Sequence, residues 1–160
     1  MWDCESCKLR TDLDYQAKEE LMLHEEAVLC SCFFSSGELL ATGSQGGKIK
    51  VWKLSSGECI KKFPLAHTGG VTSLAFSKDG SQLLSTSFDS TARIHGLKSG
   101  RTIKEFRGHT SYANCGVYSK DNASVITGSS DGTCKVWDAK TTECTFTFRY
   151  IVLYILALLL

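Results

Sequence analysis

The chain has 160 residues, enough for one ordinary domain, and 18 Lys and Arg against 17 Asp and Glu leave a net charge of +1. That balance excludes bulk electrostatic capture of nucleic acid or anionic membrane as the basis of recognition, so partner choice rests on shape and local contacts. One proline, 14 glycines and short runs rich in Ser, Thr, Val and Ile point to an all-β chain.

In chain order, residues 1–20 hold Cys4-Glu5-Ser6-Cys7, the one metal-like spacing, with no second pair to complete a zinc site. The eight cysteines lie scattered through apolar runs without a signal peptide and read as reduced, mostly buried thiols of an intracellular protein. Leu13, Ala17 and Leu21, at four-residue spacing, give Tyr15 to Glu26 a helical tendency in what reads as a connection. From His24 the chain repeats, with a period of 43 and then 42 residues set by His24, His67 and His109.

Each repeat predicts four short strands. First strands run Val28 to Phe33, Val71 to Phe76 and Ala113 to Tyr118. Second strands carry Leu39 to Thr42, Leu83 to Ser85 and Val125 to Thr127. Third strands run Ile49 to Trp52, Ala92 to His95 and Cys134 to Trp137, and fourth strands Cys59 to Phe63, Thr102 to Phe106 and Cys144 to Phe148. Ser, Lys, Asp, Asn and Gly mark the turns between them. Gly43 to Lys48 is glycine-rich and ends in lysine, but it lacks the phosphate-loop spacing and precedes a strand, so it reads as a β-turn. The last eleven residues, Tyr150 to Leu160, are all apolar, short of the roughly 20 that a spanning helix needs.

Four strands in about 42 residues, with a Trp-Asp pair at Trp137-Asp138, resemble the WD40 repeat. The resemblance implies an all-β partial propeller of three four-stranded antiparallel blades over 21–63, 64–107 and 108–148. Residues 1–20 then form the remnant of a preceding blade with its connection, and 149–160 a hydrophobic tail. Such an arc is expected to be marginal in stability without a partner.

The repeat also settles how one polar set is read. His109, Thr127, Asp131 and Trp137 carry the residue types of a hydrolytic triad, yet the same offsets from His67 give Ser85, Asp89 and His95, and from His24 give Thr42, Gly46 and Trp52. A catalytic set is not built three times and damaged twice. The WD40 resemblance implies a hydrogen-bonded chain within each blade, which satisfies buried polar atoms and ties a loop to a turn. Gly46 and His95 depart from the pattern, so the first two blades are expected to be softer. No catalytic, metal-binding or cofactor residue is assigned.

On a propeller the loops before first strands and between second and third strands form one rim, which here offers Gln45, Thr68, Phe88, Thr110, Ser111 and Tyr112 as partner-binding candidates. Phe88 and Tyr112 lead, because aromatics give large contact area at low entropic cost. Within the WD40 proteins, residues 22–30, 47–53, 87–100, 104–109 and 140–144 resemble the Smu-type splicing factors, plant forms in particular, with His95 a shared departure from the general repeat. That likeness implies a nuclear, non-enzymatic scaffold of the spliceosome that works with the RED splicing partner in pre-mRNA splicing and splice-site choice. It also implies an amino-terminal LisH-type region and a full propeller, so the chain reads as a truncated middle arc. No stacking platform stands out, so direct RNA contact, like a small-molecule substrate, is not expected. The alternatives are a fragment without independent function or with a dominant-negative one and, on the triad-like offsets alone, a hydrolase.

Overall fold

The computed structural model describes residues 24–149. The remnant expected over 1–20, most of the stretch with helical tendency, Cys4, Cys7 and the apolar run from Tyr150 lie outside these residues. The described chain is twelve strands: β1 (Val28–Phe33), β2 (Leu39–Ser44), β3 (Ile49–Lys53), β4 (Glu58–Phe63), β5 (Val71–Phe76), β6 (Gln82–Ser87), β7 (Ala92–Gly96), β8 (Arg101–Phe106), β9 (Ala113–Tyr118), β10 (Ser124–Ser129), β11 (Thr133–Asp138) and β12 (Cys144–Arg149). They form three antiparallel meanders in the orders β1-β2-β3-β4, β5-β6-β7-β8 and β9-β10-β11-β12. Among the described residues no helix is long and apolar enough to cross a membrane.

The sheets repeat down to their irregularities. Pairing of the first two strands shifts between Val28 and Cys30, between Val71 and Ser73, and beside Ser129. A second shift falls just before Trp52, His95 and Trp137 in the third strands. A bulge at that point bends the outer strand and re-aims the aromatic side chain behind it.

Alternation along the strands sends side chains to both faces, and neighbouring sheets bury them against each other. Ala41, Ile49, Val51 and Phe63 of the first sheet pack with Val71, Leu74 and Leu83 of the second. The next residue along β6, Leu84, faces the other way and joins Ala92, Ile94 and Phe106 against Val125 and Trp137 of the third. Each Val, Leu, Ile or Phe among them, fully buried, contributes about 1.5–3 kcal/mol. The seam is also polar at its edge: Cys30 Sγ lies 3.4 Å from the Val71 carbonyl oxygen, and Thr72 Oγ1 donates to the Ala113 carbonyl at 2.5 Å. On the outer side, Lys61 Nζ reaches the Lys98 carbonyl at 3.4 Å and Lys104 Nζ the Lys140 carbonyl at 2.8 Å.

The six described cysteines are free thiols, most of them half-buried; Cys144 is exposed. Burial pushes the Cys30 thiol up to about 11 and, with Cys30 beside it, Cys32 up to about 12, so neither is a nucleophile at neutral pH.

Candidate functional site

Two sets of residues stand apart from the apolar seams: a buried polar chain in each sheet and an aromatic pair on the rim.

In the third sheet, Trp137 Nε1 donates to Thr127 Oγ1 at 2.8 Å, and Thr127 Oγ1 lies 2.7 Å from His109 Nε2. His109 Nδ1 is 2.8 Å from Asp131 Oδ2. One donor order satisfies every member: indole N–H to hydroxyl, hydroxyl to His109 Nε2, and His109 Nδ1–H to carboxylate. Asp131 also receives the Thr110 and Thr133 amides and the Thr133 hydroxyl. Burial alone would raise its pKa, but these bonds outweigh that cost and hold the carboxyl well below the usual range. Burial lowers His109 despite Asp131 beside it, so the imidazole is neutral at pH 7.

The second sheet builds the same chain with a different end. His67 Nδ1 lies 2.9 Å from Asp89 Oδ2, and His67 Nε2 lies 2.7 Å from Ser85 Oγ. Ser85 Oγ is in turn 2.7 Å from His95 Nε2, so that ring nitrogen supplies the N–H which the indole supplies in the third sheet. The other nitrogen, His95 Nδ1, lies 3.0 Å from Thr102 Oγ1 and accepts from it. The chain therefore runs from the loop through Ser85 and His95 to the outermost strand. His95 is 0% exposed, and burial, with His67 and Arg93 nearby, pushes its pKa down to about 3. Phe63 of the preceding sheet packs on the His95 ring at 5.0 Å, as Phe106 packs on Trp137 at 5.8 Å. With five members joined by four bonds, the second sheet is not short of hydrogen bonds for want of tryptophan.

The first sheet keeps His24 Nε2 and Trp52 Nε1 on Thr42 Oγ1, each at 2.8 Å. Gly46 stands where the others have aspartate, and His24 Nδ1 is buried without a partner. The carboxylate of Glu26 occupies the space a Cβ at Gly46 would enter, its Oε1 2.1 Å from that point. A longer acid from a neighbouring position thus fills the gap without closing the bond.

Hydrolysis would need Thr127 Oγ1 to meet a substrate carbonyl. Thr127 is 0% exposed and its hydroxyl is held between Trp137 and His109, so the arrangement offers no approach to a carbonyl.

On the rim, Phe88 and Tyr112 are exposed and meet edge to face, ring centroids 5.1 Å apart at 66°. They come from adjacent sheets, and Leu29 of the first sheet approaches Phe88 over Gly70, where an added Cβ would sit 3.0 Å from Phe88 Cδ2 and 3.0 Å from Leu29 Cδ1. Leu29, Phe88 and Tyr112 therefore make one apolar strip over all three sheets. Gln45, Thr68 and Thr110 are exposed beside it; Ser111 is half-buried, its carbonyl accepting from Ser129 Oγ at 3.2 Å.

Several members escape sequence reasoning. Thr91 and Thr133 cap the aspartates, and their Asp-x-Thr spacing, present in two repeats, is the signal that could have found them. Thr102 had a subtler one: the residues paired with Trp52 and Trp137 across the third and fourth strands are Cys59 and Cys144, whereas His95 pairs with Thr102. Leu29 is apolar where the other repeats place Thr72 and Asn114.

Repeated four-stranded meanders, stacked face to face and each pinned by an internal His-hydroxyl-aromatic chain, define a blade-repeat protein of the β-propeller class. The WD40 family, described as WD domain, G-beta repeat, matches residues 17–53, 57–95 and 100–138, and the chain belongs to that family. It is 50% identical over 144 residues to the WD40 repeat-containing protein smu1 of Dictyostelium discoideum, covering 90% of this chain and 27% of that protein. Protein tipD of the same organism is 35% identical over 135 residues, covering 84% of this chain and 22% of that one. The chain thus spans about a quarter of the length of these relatives. The solved structure of U3-55K superposes with a TM-score of 0.75 at 20% identity, over 81% of this chain and 41% of that one, a likeness of fold alone. WD40 repeats generally serve as scaffolds for protein interaction rather than as catalysts.

Proposed function

We propose that this chain is a non-enzymatic scaffold sector of a nuclear RNA-processing assembly, the spliceosome, and that it holds a RED-type splicing protein on its rim. The observation that carries the binding role is the exposed Phe88–Tyr112 pair continuous with Leu29, since a rigid apolar strip spanning a blade junction is a surface that costs little entropy to bind. The polar chains under it are structural: they hold the rim loops at fixed height by bonding Thr68 and Thr110 amides to Asp89 and Asp131. Its 50% identity to the smu1 relative and the likeness of residues 87–100 to Smu-type splicing factors support the assignment to splicing.

Capture from nuclear extract tests it. The chain retains spliceosomal proteins including the RED-type partner, and the Phe88→Ala, Tyr112→Ala double variant loses them with its melting temperature unchanged. Equal capture by the folded double variant would remove the rim from the function, and absence of spliceosomal proteins from both would remove the splicing assignment.

A further inference from the structure

The outermost strands of the three sheets differ in one respect that bears on assembly. An edge strand offers a row of unpaired amides and carbonyls, and natural edges are blunted by charge, lysine above all. β4 carries Glu58, Lys61 and Lys62, and β8 carries Arg101, Lys104 and Glu105. β12 reads Cys144-Thr145-Phe146-Thr147-Phe148-Arg149: it has no charge before its last residue, and β-branched and aromatic residues fill its centre. Phe146 takes the repeat position that Lys61 and Lys104 hold. Among the described residues β12 is paired on one side only. All six of its residues are exposed, and Phe146 and Phe148 stack with centroids 6.4 Å apart at 25°, exposed by 63% and 45%. The matching Phe63 and Phe106 are 3% and 1% exposed.

We propose that β12 is a self-association edge, pairing antiparallel with β12 of a second copy about a two-fold axis through Thr147. The strand's own sequence selects this occupant. In an antiparallel pair, residues directly opposite share a face. Centring on Thr147 sets Phe146 of each copy against Phe148 of the other, so both aromatic cross-strand pairs form on one face. On the other face Thr147 meets Thr147 and Arg149 meets Thr145, so no like charges oppose. The corresponding self-pairing of β4 about Lys62 would set lysine against lysine, and that of β8 about Glu105 glutamate against glutamate, both unfavourable. Two four-stranded sheets would join into one of eight through an isologous contact, the commonest kind in homodimers.

Sedimentation of the full chain over a concentration series reads the dimer directly. Thr147→Glu sets two carboxylates against each other across the axis. Within its own sheet the same carboxylate faces Lys135, whose Nζ lies 3.0 Å from Thr147 Oγ1, so the blade is retained. The dimer dissociation constant rises at least about tenfold, with an unchanged melting temperature. In a Cys144→Ser background, Thr147→Cys forms an intermolecular disulfide under oxidised glutathione, because opposed Cα atoms lie within the span a disulfide needs. Thr145→Cys, opposite Arg149, does not. The disulfide pattern decides the matter if Thr147→Glu fails to fold. A wild-type chain that stays monomeric throughout the series overturns the proposal, as does association that survives Thr147→Glu in a folded variant, or equal cross-linking at 145 and 147.

Discussion

Replacing Thr127 with valine removes one hydroxyl and almost no volume, and it isolates the worth of the buried chain in the third sheet. Thr127 is 0% exposed and Trp137 2%, so water cannot take over when the hydroxyl goes. The Trp137 indole N–H loses its acceptor at 2.8 Å and His109 Nε2 its donor at 2.7 Å. Each stranded buried group costs about 1–3 kcal/mol, so the pair sums to roughly 3 kcal/mol. For a chain of this size that lowers the melting temperature by about 6–12 °C. Thermal and urea melts measure it against Thr145→Val, an exposed hydroxyl whose loss stays within about 0.5 kcal/mol. Adding Trp137→Phe to Thr127→Val removes the stranded donor too, so the double variant loses less than the sum of the singles. A Thr127→Val melt no lower than that of Thr145→Val would refute the reasoning, as would strict additivity in the cycle.

Acid should weaken the fold below neutrality. His95, pushed down to about 3, stays neutral while the unfolded chain gains a proton near pH 6.5, so stability falls as pH drops from about 6.5 toward 3 and is complete above that window. At about pH 5 this one residue costs about 2 kcal/mol, and burial of His24 and His109 acts in the same direction. Replacement His95→Trp matches the neighbouring sheets and reduces the stability difference between about pH 7.5 and pH 5; an unchanged difference would count against His95 as its source. The lowered carboxyls of Asp89 and Asp131 add a further loss as pH falls below about 3.9. Gly47, with φ of 75°, shares its repeat position with Ser90 at 67° and Gly132 at 77°. Gly47→Ala brings a Cβ 2.3 Å from the His67 carbonyl oxygen and destabilises by more than about 2 kcal/mol, whereas Ser90→Gly is neutral or stabilising; urea midpoints in the reverse order would be the contrary result.

What the sequence made legible depends on repetition. The four strands of each unit stand out because three copies place apolar runs, turn residues and histidines at the same offsets, and the observed first strands coincide with those runs residue for residue. The His-hydroxyl-Asp offsets were visible for the same reason. The rest turns on which side chain fills which space. Glu26 enters the place left by Gly46 through side-chain reach, which no periodicity records. Leu29 joins Phe88 because Gly70 leaves room between the sheets, a fact of packing across a junction. At His95 the repeat shows a histidine in the tryptophan position, but not that its second nitrogen meets Thr102, on a strand that the polar chain does not reach in the third sheet.

That last contact couples two positions of the second repeat. With tryptophan in the third strand, the single ring N–H goes to threonine and the facing residue, cysteine at 59 and 144, owes the ring no hydrogen bond. With histidine there, the second ring nitrogen is sealed from water and needs a real donor opposite it. Threonine facing tryptophan would strand no group, whereas histidine facing cysteine would leave Nδ1 with only a weak thiol donor. Positions 95 and 102 therefore form one unit, and a change at Thr102 is tolerated only together with a change at His95.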